Sequence, residues 1–177
     1  MTVQDKTTLK GYFINGKVPN QDHYGDLIDS FGRVLTPACR VYNNANITHN
    51  TSGTWQALSF NSERNDTHGS HSTSVNTSYL TAMLAGYYLI GGAFQFAANV
   101  VGRRGIGIRL NNNYYLVSDS RMTITDSGIV CALSVSTFYY LNEGDYVELM
   151  ANQSSGGQLV INYAQLYSPE FWFKFIS

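Results

Sequence analysis

The stretch from Ala85 to Ala98 (AGYYLIGGAFQFAA) constrains the fold more than any other, because its glycine and aromatic content suits a strand that is apolar on both sides. In an extended strand, successive side chains point to opposite sides. Tyr88 and Phe94 then point one way, and Tyr87 and Leu89 the other. One side can serve the core of a domain, but the second also needs a cover. No strong helix signal lies nearby, so we expect another copy of the same chain to supply that cover around a symmetry axis.

The composition predicts an all-β domain. Charged residues are only 13% of the 177 residues, aromatic residues are 14%, and turn-forming residues are abundant. The net charge of −1, with Lys and Arg scattered, gives no basic surface for nucleic acid or for an anionic membrane. Without an apolar run of membrane-spanning or signal type, we expect a soluble protein made in the cytoplasm. Cys39 and Cys131 are then expected to remain free thiols.

Residues 1–36 differ from the rest and are predicted to form an arm with one short amphipathic helix. Pro19 and a capping Asn20 mark the start of this helix. Its apolar residues recur at helical spacing and are predicted to anchor the arm on a partner: Tyr24, Leu27, Ile28 and Phe31. Pro37 marks the boundary to a second domain, residues 37–177.

Short strand-like runs alternate with turns from Cys39 onwards, as in a β-sandwich. Ile129–Leu141 is a second long strand with two apolar sides, and Phe171–Ile176 is a closing strand too hydrophobic to be a frayed tail. We expect the closing strand in the middle of a sheet, close to Ala85–Ala98. Tyr114–Val117 and Arg121–Thr125 are predicted as two short strands. Roughly eight to ten strands suit a double-sheet jelly roll.

A polar cluster lies within residues 61–78, which are predicted to form a long loop. Its members are Glu63, Arg64, Asp66, His68 and His71. Asp66, His68 and His71 are the candidates for a metal site. The alternative, which we favour, is that the cluster fixes the loop through ion pairs and hydrogen bonds, because no recognised metal-binding motif frames the histidines. No cofactor is expected.

Other motifs point away from catalysis. Arg103 and Arg104 are flanked by glycines at a strand end and are predicted to be hydrogen-bonding residues at a surface or interface. Neither a nucleophile elbow nor a Cys–His signature is present. An enzyme acting on polysaccharide would need paired acids, and Asp66 with Glu63 is equally well explained by loop chemistry. We therefore expect a protein that is not an enzyme.

The second domain resembles the trimeric jelly rolls of the complement one-q and tumour-necrosis-factor-like superfamily, in their bacterial and bacteriophage form. The resemblance covers most of residues 53–177. It rests on LSFNSERNDTHGSH at 58–71, AGYYLI at 85–90, IRLN at 108–111 and LNEGDYVEL at 141–149, in that order, with an aromatic strand closing the chain.

This resemblance implies a homotrimer whose aromatic strands serve the inner sheet or pack along the threefold axis. The residues assigned to the trimer interface or inner sheet are Tyr87, Tyr88, Leu89, Phe94, Phe138, Tyr140, Phe171, Phe173 and Phe175. The sequence leaves open which of the two sides of each strand faces the threefold axis, because the side chains on both sides are apolar. A ligand pocket lined by the same aromatic residues is the alternative.

The arm resembles the N-terminal segments of phage fibre and related virion proteins, through LKGYF at 9–13, Gly16, Pro19 and DLIDS at 26–30. The resemblance implies a homotrimeric structural protein on the virion surface, made in the bacterial cytoplasm and attached to other virion proteins through its arm. With no collagen-like or heptad shaft in the sequence, a short head fibre or capsid decoration protein is favoured. The alternative is the receptor-binding head of a short tail fibre, which contacts a receptor or glycan on the host surface. No nucleic-acid or membrane partner is expected.

Overall fold

The computed structural model describes residues 6–14, 16–32, 36–122, 126, 128–165 and 168–177. The chain divides into two compact units, Met1–Thr36 and Pro37–Ser177.

The first unit contains two helices where the sequence predicts one. The predicted helix is α2, Gln21–Gly32, and a shorter helix, α1, spans Lys6–Tyr12. Asn20 caps α2 as predicted, because its Oδ1 accepts a hydrogen bond from the backbone N–H of His23 at 3.0 Å. Seven residues are too few to form a stable helix alone. Contacts with α2 hold α1 in place: Tyr12 donates a hydrogen bond to Asp26 (3.1 Å) and stacks on His23.

The described residues of the second unit form twelve strands. They are β1 (Ala38–Tyr42), β2 (Ile47–His49), β3 (Trp55–Ala57), β4 (Ser62–Asp66), β5 (Tyr79–Thr81), β6 (Gly86–Phe96), β7 (Arg103–Leu110), β8 (Tyr114–Met122), β9 (Cys131–Leu141), β10 (Tyr146–Gln153), β11 (Leu159–Asn162) and β12 (Glu170–Phe175).

Two sheets of antiparallel strands make up this unit. One has seven strands in the order β2–β11–β6–β12–β1–β4, with β9 also paired to β6. The other has five strands in the order β3–β10–β7–β8, with β5 also paired to β10. This is the all-β, double-sheet jelly roll predicted from the sequence. The predicted central position of the closing strand is also confirmed, because β12 lies between β1 and β6.

The core lies between the two sheets and is filled by alternate residues of the long strands. From β6, the side chains of Tyr88, Ile90, Phe94 and Phe96 are fully buried. Ile106 and Leu149 of the five-stranded sheet close the core from the other side. The strand periodicity of two therefore directs half of the apolar residues inward and leaves the other half facing outward.

Three predicted segments differ from the structure. Residues 61–78 are not a continuous loop, because β4 occupies Ser62–Asp66 and pairs with β1. The two strands predicted after Asn113 are one strand, β8, which ends at Met122, and residues 123–125 lie outside the described part of the chain. The alternation over 53–60 predicts a further strand with Leu58 and Phe60 on one side, but the strand in the structure is only Trp55–Ala57. Leu58 and Phe60 are nevertheless both buried in the core.

Candidate functional site

The outward side of the seven-stranded sheet carries exposed aromatic residues along β6 and β9. Tyr87 is 45% exposed, Leu89 39%, Phe138 55% and Tyr140 46%. The register pairs Tyr87 with Tyr140 and Leu89 with Phe138. The Tyr87 ring stacks on Phe138 at 5.0 Å and meets Tyr140 edge-on at 5.3 Å. We call these four residues, with Trp172 of β12, the aromatic face.

Trp172 occupies the centre of this side of the sheet. It pairs with Gly91 of β6 and with Arg40 of β1. Its ring lies over Gly91, so closely that a Cβ atom at Gly91 would collide with the indole. Two hollows flank the ring. One, of about 330 Å³, reaches Arg40 and Asn65, and the other, of about 280 Å³, reaches Ala93 and Ser136.

A charged network lies beside the aromatic face. Glu170 of β12 is only 5% exposed and forms ion pairs with Arg40 of β1 and Arg64 of β4. The Arg64 guanidinium also lies 4.3 Å from the centre of the Tyr42 ring. The two guanidinium groups donate hydrogen bonds to the buried carboxylate of Glu170, and these bonds connect the neighbouring strands β12, β1 and β4.

The structure separates the predicted interface residues into two groups. Tyr88, Phe94, Phe171 and Phe173 are buried in the core, and Phe175 packs against it. Only Tyr87, Leu89, Phe138 and Tyr140 face outward. Phe171 and Phe173 of the closing strand therefore lie on the core side of the seven-stranded sheet and do not face outward. Trp172, which the sequence pattern did not single out, is the outward aromatic residue of that strand.

The polar cluster around β4 forms a continuous set of hydrogen bonds. Asp66 accepts the backbone N–H groups of His68 (3.1 Å) and His71 (2.9 Å), one on each carboxylate oxygen. The buried ring of His71 contacts Glu63 through Nδ1 (2.9 Å) and the carbonyl of Thr77 through Nε2 (3.2 Å). His68 Nδ1 lies 2.8 Å from the hydroxyl of Thr67. Arg64, the fifth member, points to Glu170 instead.

These contacts occupy the groups that a metal ion would need. Both nitrogens of His71 and both oxygens of Asp66 already have protein partners. Within the described residues, no group of three or more potential ligands lies close enough to hold a metal ion. In the structure these side chains tie the segment between β4 and β5 to its neighbours.

The anchoring residues lie on α2. Tyr24 and Ile28 are largely exposed, at 50% and 68%, and Leu27 is half-buried. The side chain of Phe31 lies outside the described residues. Tyr24 also meets Phe13 edge-on at 5.8 Å. In the described chain, no helix is long and apolar enough to cross a membrane.

Arg104 is a residue whose position the sequence reasoning missed. It is fully buried, although the Arg103–Arg104 pair was predicted at a surface or interface. Its guanidinium donates hydrogen bonds to the carbonyls of Asn99 (3.1 Å), Val101 (2.9 Å) and Arg103 (2.8 Å), and burial lowers its pKa. The alternation of β7 was the available signal, because it places Arg104, Ile106 and Ile108 on one side of the strand.

Comparison with solved structures supports the fold. The globular domain of zebrafish complement 1qA aligns with a TM-score of 0.56 at 16% identity, over 80% of this chain and 98% of that chain. Eiger TNF from S. frugiperda gives 0.59 at 9% identity, over 80% and 93%. Murine APRIL at pH 5.0 gives 0.58 at 8% identity, over 80% and 99%.

No family model and no curated protein matches the sequence. At these low identities, the structural likeness shows the fold alone. The chain has the jelly roll seen in complement one-q and tumour-necrosis-factor-type globular domains.

Proposed function

We propose that this chain is a non-enzymatic structural protein of the bacteriophage virion surface, a homotrimeric head fibre or capsid decoration protein that is attached through residues 1–36. The aromatic face carries the assembly part of this proposal. The resemblance of the arm to virion fibre segments supports its location.

The aromatic face has the composition of an interface core. Surfaces of single soluble domains rarely carry a contiguous group of large apolar side chains without a partner. Here four of them lie in paired register on two adjacent strands, and three are Tyr or Phe, which are enriched in interface cores. The jelly rolls that the motifs of residues 53–177 resemble are trimeric, so three copies of this chain are the proposed occupants.

The arm supports the attachment part of the proposal. Its exposed apolar residues include Val18, Tyr24 and Ile28, and the described part of this unit consists of two short helices and the residues around them. A unit of this size gains stability when its apolar side docks on a larger partner. Other virion proteins are the proposed partner, and the virion surface is the proposed location.

Sedimentation of charge-substituted variants tests the trimer. Phe138→Asp should place a carboxylate in each interface and convert the trimer to monomers or unfolded chains at micromolar concentration. Tyr114→Asp is the matched control, because Tyr114 is an aromatic residue 65% exposed on the five-stranded sheet. A wild-type protein that sediments as a stable monomer would refute the assembly proposal.

Location on the particle tests the virion role. A labelled copy should decorate the capsid in electron micrographs of particles, and particles that lack the protein should still adsorb to their host. Label confined to the tail would contradict the head-fibre form of the proposal.

A receptor-binding head of a short tail fibre is the second candidate. The observation that favours it is the exposed aromatic end of β8, where Tyr114 and Tyr115 follow the turn at 111–113. This candidate predicts binding to host envelope fractions that is lost when Asn111–Asn113 or Ser118–Arg121 is changed. Normal adsorption of particles with those changes would exclude it.

A further inference from the structure

The imidazole of His71 is fully buried and meets an oxygen atom at each of its two nitrogens. It lies in the chain segment that joins β4 to β5, residues 67–78, which we call the β4–β5 segment. Nδ1 lies 2.9 Å from a carboxylate oxygen of Glu63, and Nε2 lies 3.2 Å from the carbonyl oxygen of Thr77. Neither the proposed assembly nor the proposed attachment assigns this arrangement a role.

The partner of Nε2 can only accept a hydrogen bond, because a carbonyl oxygen has no hydrogen to donate. The same carbonyl of Thr77 also accepts the backbone N–H of Phe60 at 2.8 Å. This second hydrogen bond holds the carbonyl in place independently of the imidazole. Nε2 of His71 therefore needs a hydrogen for its contact with Thr77 to be favourable.

The partner of Nδ1 is a carboxyl group, which also only accepts hydrogen bonds when it is ionised. A neutral imidazole carries a hydrogen on one of its two nitrogens. When that hydrogen is on Nε2, the contact between Nδ1 and Glu63 needs one more proton, either on Nδ1 or on the carboxyl group. The observed arrangement therefore holds one proton more than a neutral His71 beside an ionised Glu63.

The charges around the imidazole favour this additional proton. Asp66, at the end of β4, accepts the backbone N–H of His71 at 2.9 Å, so a second carboxylate lies beside the pair. Cys39 of β1 adds no charge, because burial raises the pKa of its thiol. Among the described residues, no Lys or Arg forms an ion pair with either carboxylate, since Arg64 points to Glu170. A positive charge on the imidazole is stabilised in such surroundings.

Two further titratable side chains of this region have partners of their own. His68 Nδ1 lies 2.8 Å from the hydroxyl of Thr67. Tyr79 of β5 stacks on Tyr146, with ring centres 3.8 Å apart. The additional proton is therefore assigned to His71 and Glu63, with Asp66 as their charged neighbour.

Loss of this proton leaves one N–H group for two acceptors. The side chain of Glu63 is 33% exposed, so the proton has a route to solvent. A hydrogen bond to a charged carboxylate is stronger than one to a carbonyl, so the remaining hydrogen is expected on Nδ1. Nε2 then presents a lone pair to the carbonyl of Thr77, and the contact that joins His71 to Thr77 becomes repulsive.

We propose that His71 and Glu63 form a proton-dependent latch of the β4–β5 segment, closed while the pair holds its additional proton and open after that proton leaves. The latch therefore opens as pH rises. The part that it releases is the turn at 72–76, where the hydroxyl of Ser72 accepts the N–H groups of Ser74 and Val75. Val75 is 64% exposed, so the surface that the jelly roll presents here changes with pH.

Two measurements on the full wild-type chain test the latch between about pH 5 and about pH 8, the range in which imidazoles commonly titrate. Proton–nitrogen correlation NMR of the imidazole follows the hydrogens on the two nitrogens of His71. Hydrogen exchange read by mass spectrometry, corrected for its intrinsic pH dependence, follows residues 70–78. Both should show one shared transition, in which the protection of the segment falls about tenfold through the loss of one hydrogen bond as His71 loses a proton.

Glu63→Gln separates the latch from a purely structural contact. The side-chain amide of this variant can donate a hydrogen to Nδ1 of a neutral His71, so the segment stays closed without the additional proton. Its protection should then be the same at both ends of the pH range. His68→Gln is the matched control, because His68 lies in the same segment but contacts Thr67. This control should keep the wild-type response to pH.

Three results would each overturn the proposal. They are a His71 ring that keeps the same protons over the whole range, a segment whose protection does not follow the protons of His71, and a Glu63→Gln chain with the wild-type response to pH. The first two results need only the wild-type chain, so they decide the question even if the variant does not fold.

Discussion

Arg104 and His49 are buried polar side chains of the jelly roll that form specific hydrogen bonds with backbone carbonyls. Arg104 donates to three backbone carbonyls of residues 99–103 and has no acidic partner among the described residues. His49 is also fully buried, with its Nε2 3.1 Å from the carbonyl of Ala151 and its Nδ1 without a partner among the residues that the structure describes. Because a buried polar group is costly once it loses its partners, these positions are sensitive to substitution.

Arg104→Ala should destabilise the jelly roll by about 3–5 kcal/mol, because it removes the guanidinium that donates to the carbonyls of Asn99 and Val101 and opens a large cavity. Urea unfolding followed by tryptophan fluorescence measures this change. Arg103→Ala is the control, since the Arg103 side chain is exposed and its loss should change stability by less than about 0.5 kcal/mol. Equal effects from the two variants would show that Arg104 is not buried in solution.

His49 should make the stability of the chain depend on pH. Burial lowers the pKa of His49 below 6.5, whereas the unfolded chain keeps the ordinary value. Between those two pKa values the unfolded state binds more protons, so the free energy of unfolding should fall as pH drops below about 6.5. His49→Gln should flatten this part of the curve, measured by denaturant unfolding from pH 7.5 to 5. A variant curve as steep as wild type would contradict the assignment.

Two glycines of β6 lie where neighbouring side chains approach the strand closely. Gly91 of β6 leaves room for the Trp172 ring on the outward side, and Gly92 leaves room for Leu149 on the core side. The Gly91–Gly92 pair at the centre of β6 thus gives up side chains on both sides so that its neighbours can cross it closely.

Gly91→Ala should destabilise the chain by about 1–3 kcal/mol, because the new methyl group must displace the indole of Trp172. The displacement should also shift the tryptophan fluorescence spectrum. Gly157→Ala is a suitable control, since a Cβ atom there meets nothing within 4 Å. If Gly91→Ala unfolds at the same urea concentration as wild type, the close contact between β6 and Trp172 is absent in solution.

Elements with an apolar pattern could be predicted from the sequence, and elements held by their neighbours could not. The long strands β6, β9 and β12 were predicted because alternation is visible in their residues. Strand β4 was missed because SERND has no apolar side; its pairing with β1 holds it in a sheet. Helix α1 was missed for a similar reason, since its contacts with α2 replace an amphipathic pattern of its own.

For the molecule as a whole, the sequence predicted the sandwich but not which side of β6 faces outward. Tyr87 and Tyr88 are identical in type, so only the arrangement of the second sheet decides which is covered. The same limit applies to the candidate sites. The polar cluster was visible as a motif, whereas the outward position of Trp172 on the aromatic face depends on the pairing of β12 with β1 and β6.

Deletion of residues 1–36 should leave a folded trimer that no longer attaches to particles. Residues 37–177 form their own compact unit with a complete core, so the circular dichroism spectrum of the deleted chain should keep its β signal. Sedimentation measures the trimer, and co-purification with particles measures attachment. The double substitution of Tyr24→Ala and Ile28→Ala in the full chain is a milder test of the same attachment, and it should weaken co-purification with particles. Attachment that survives the deletion would show that another part of the chain is the anchor.

The pairing of β1 with β12 sets the order in which the jelly roll can form. Ala38 lies opposite Lys174, so the first and last strands of the domain close the same sheet. During synthesis, β1 cannot find this neighbour until the end of the domain has left the ribosome. Contacts between such distant residues also slow folding to milliseconds or longer. A growing chain therefore cannot complete this sheet, and finished subunits appear only after synthesis of the whole domain.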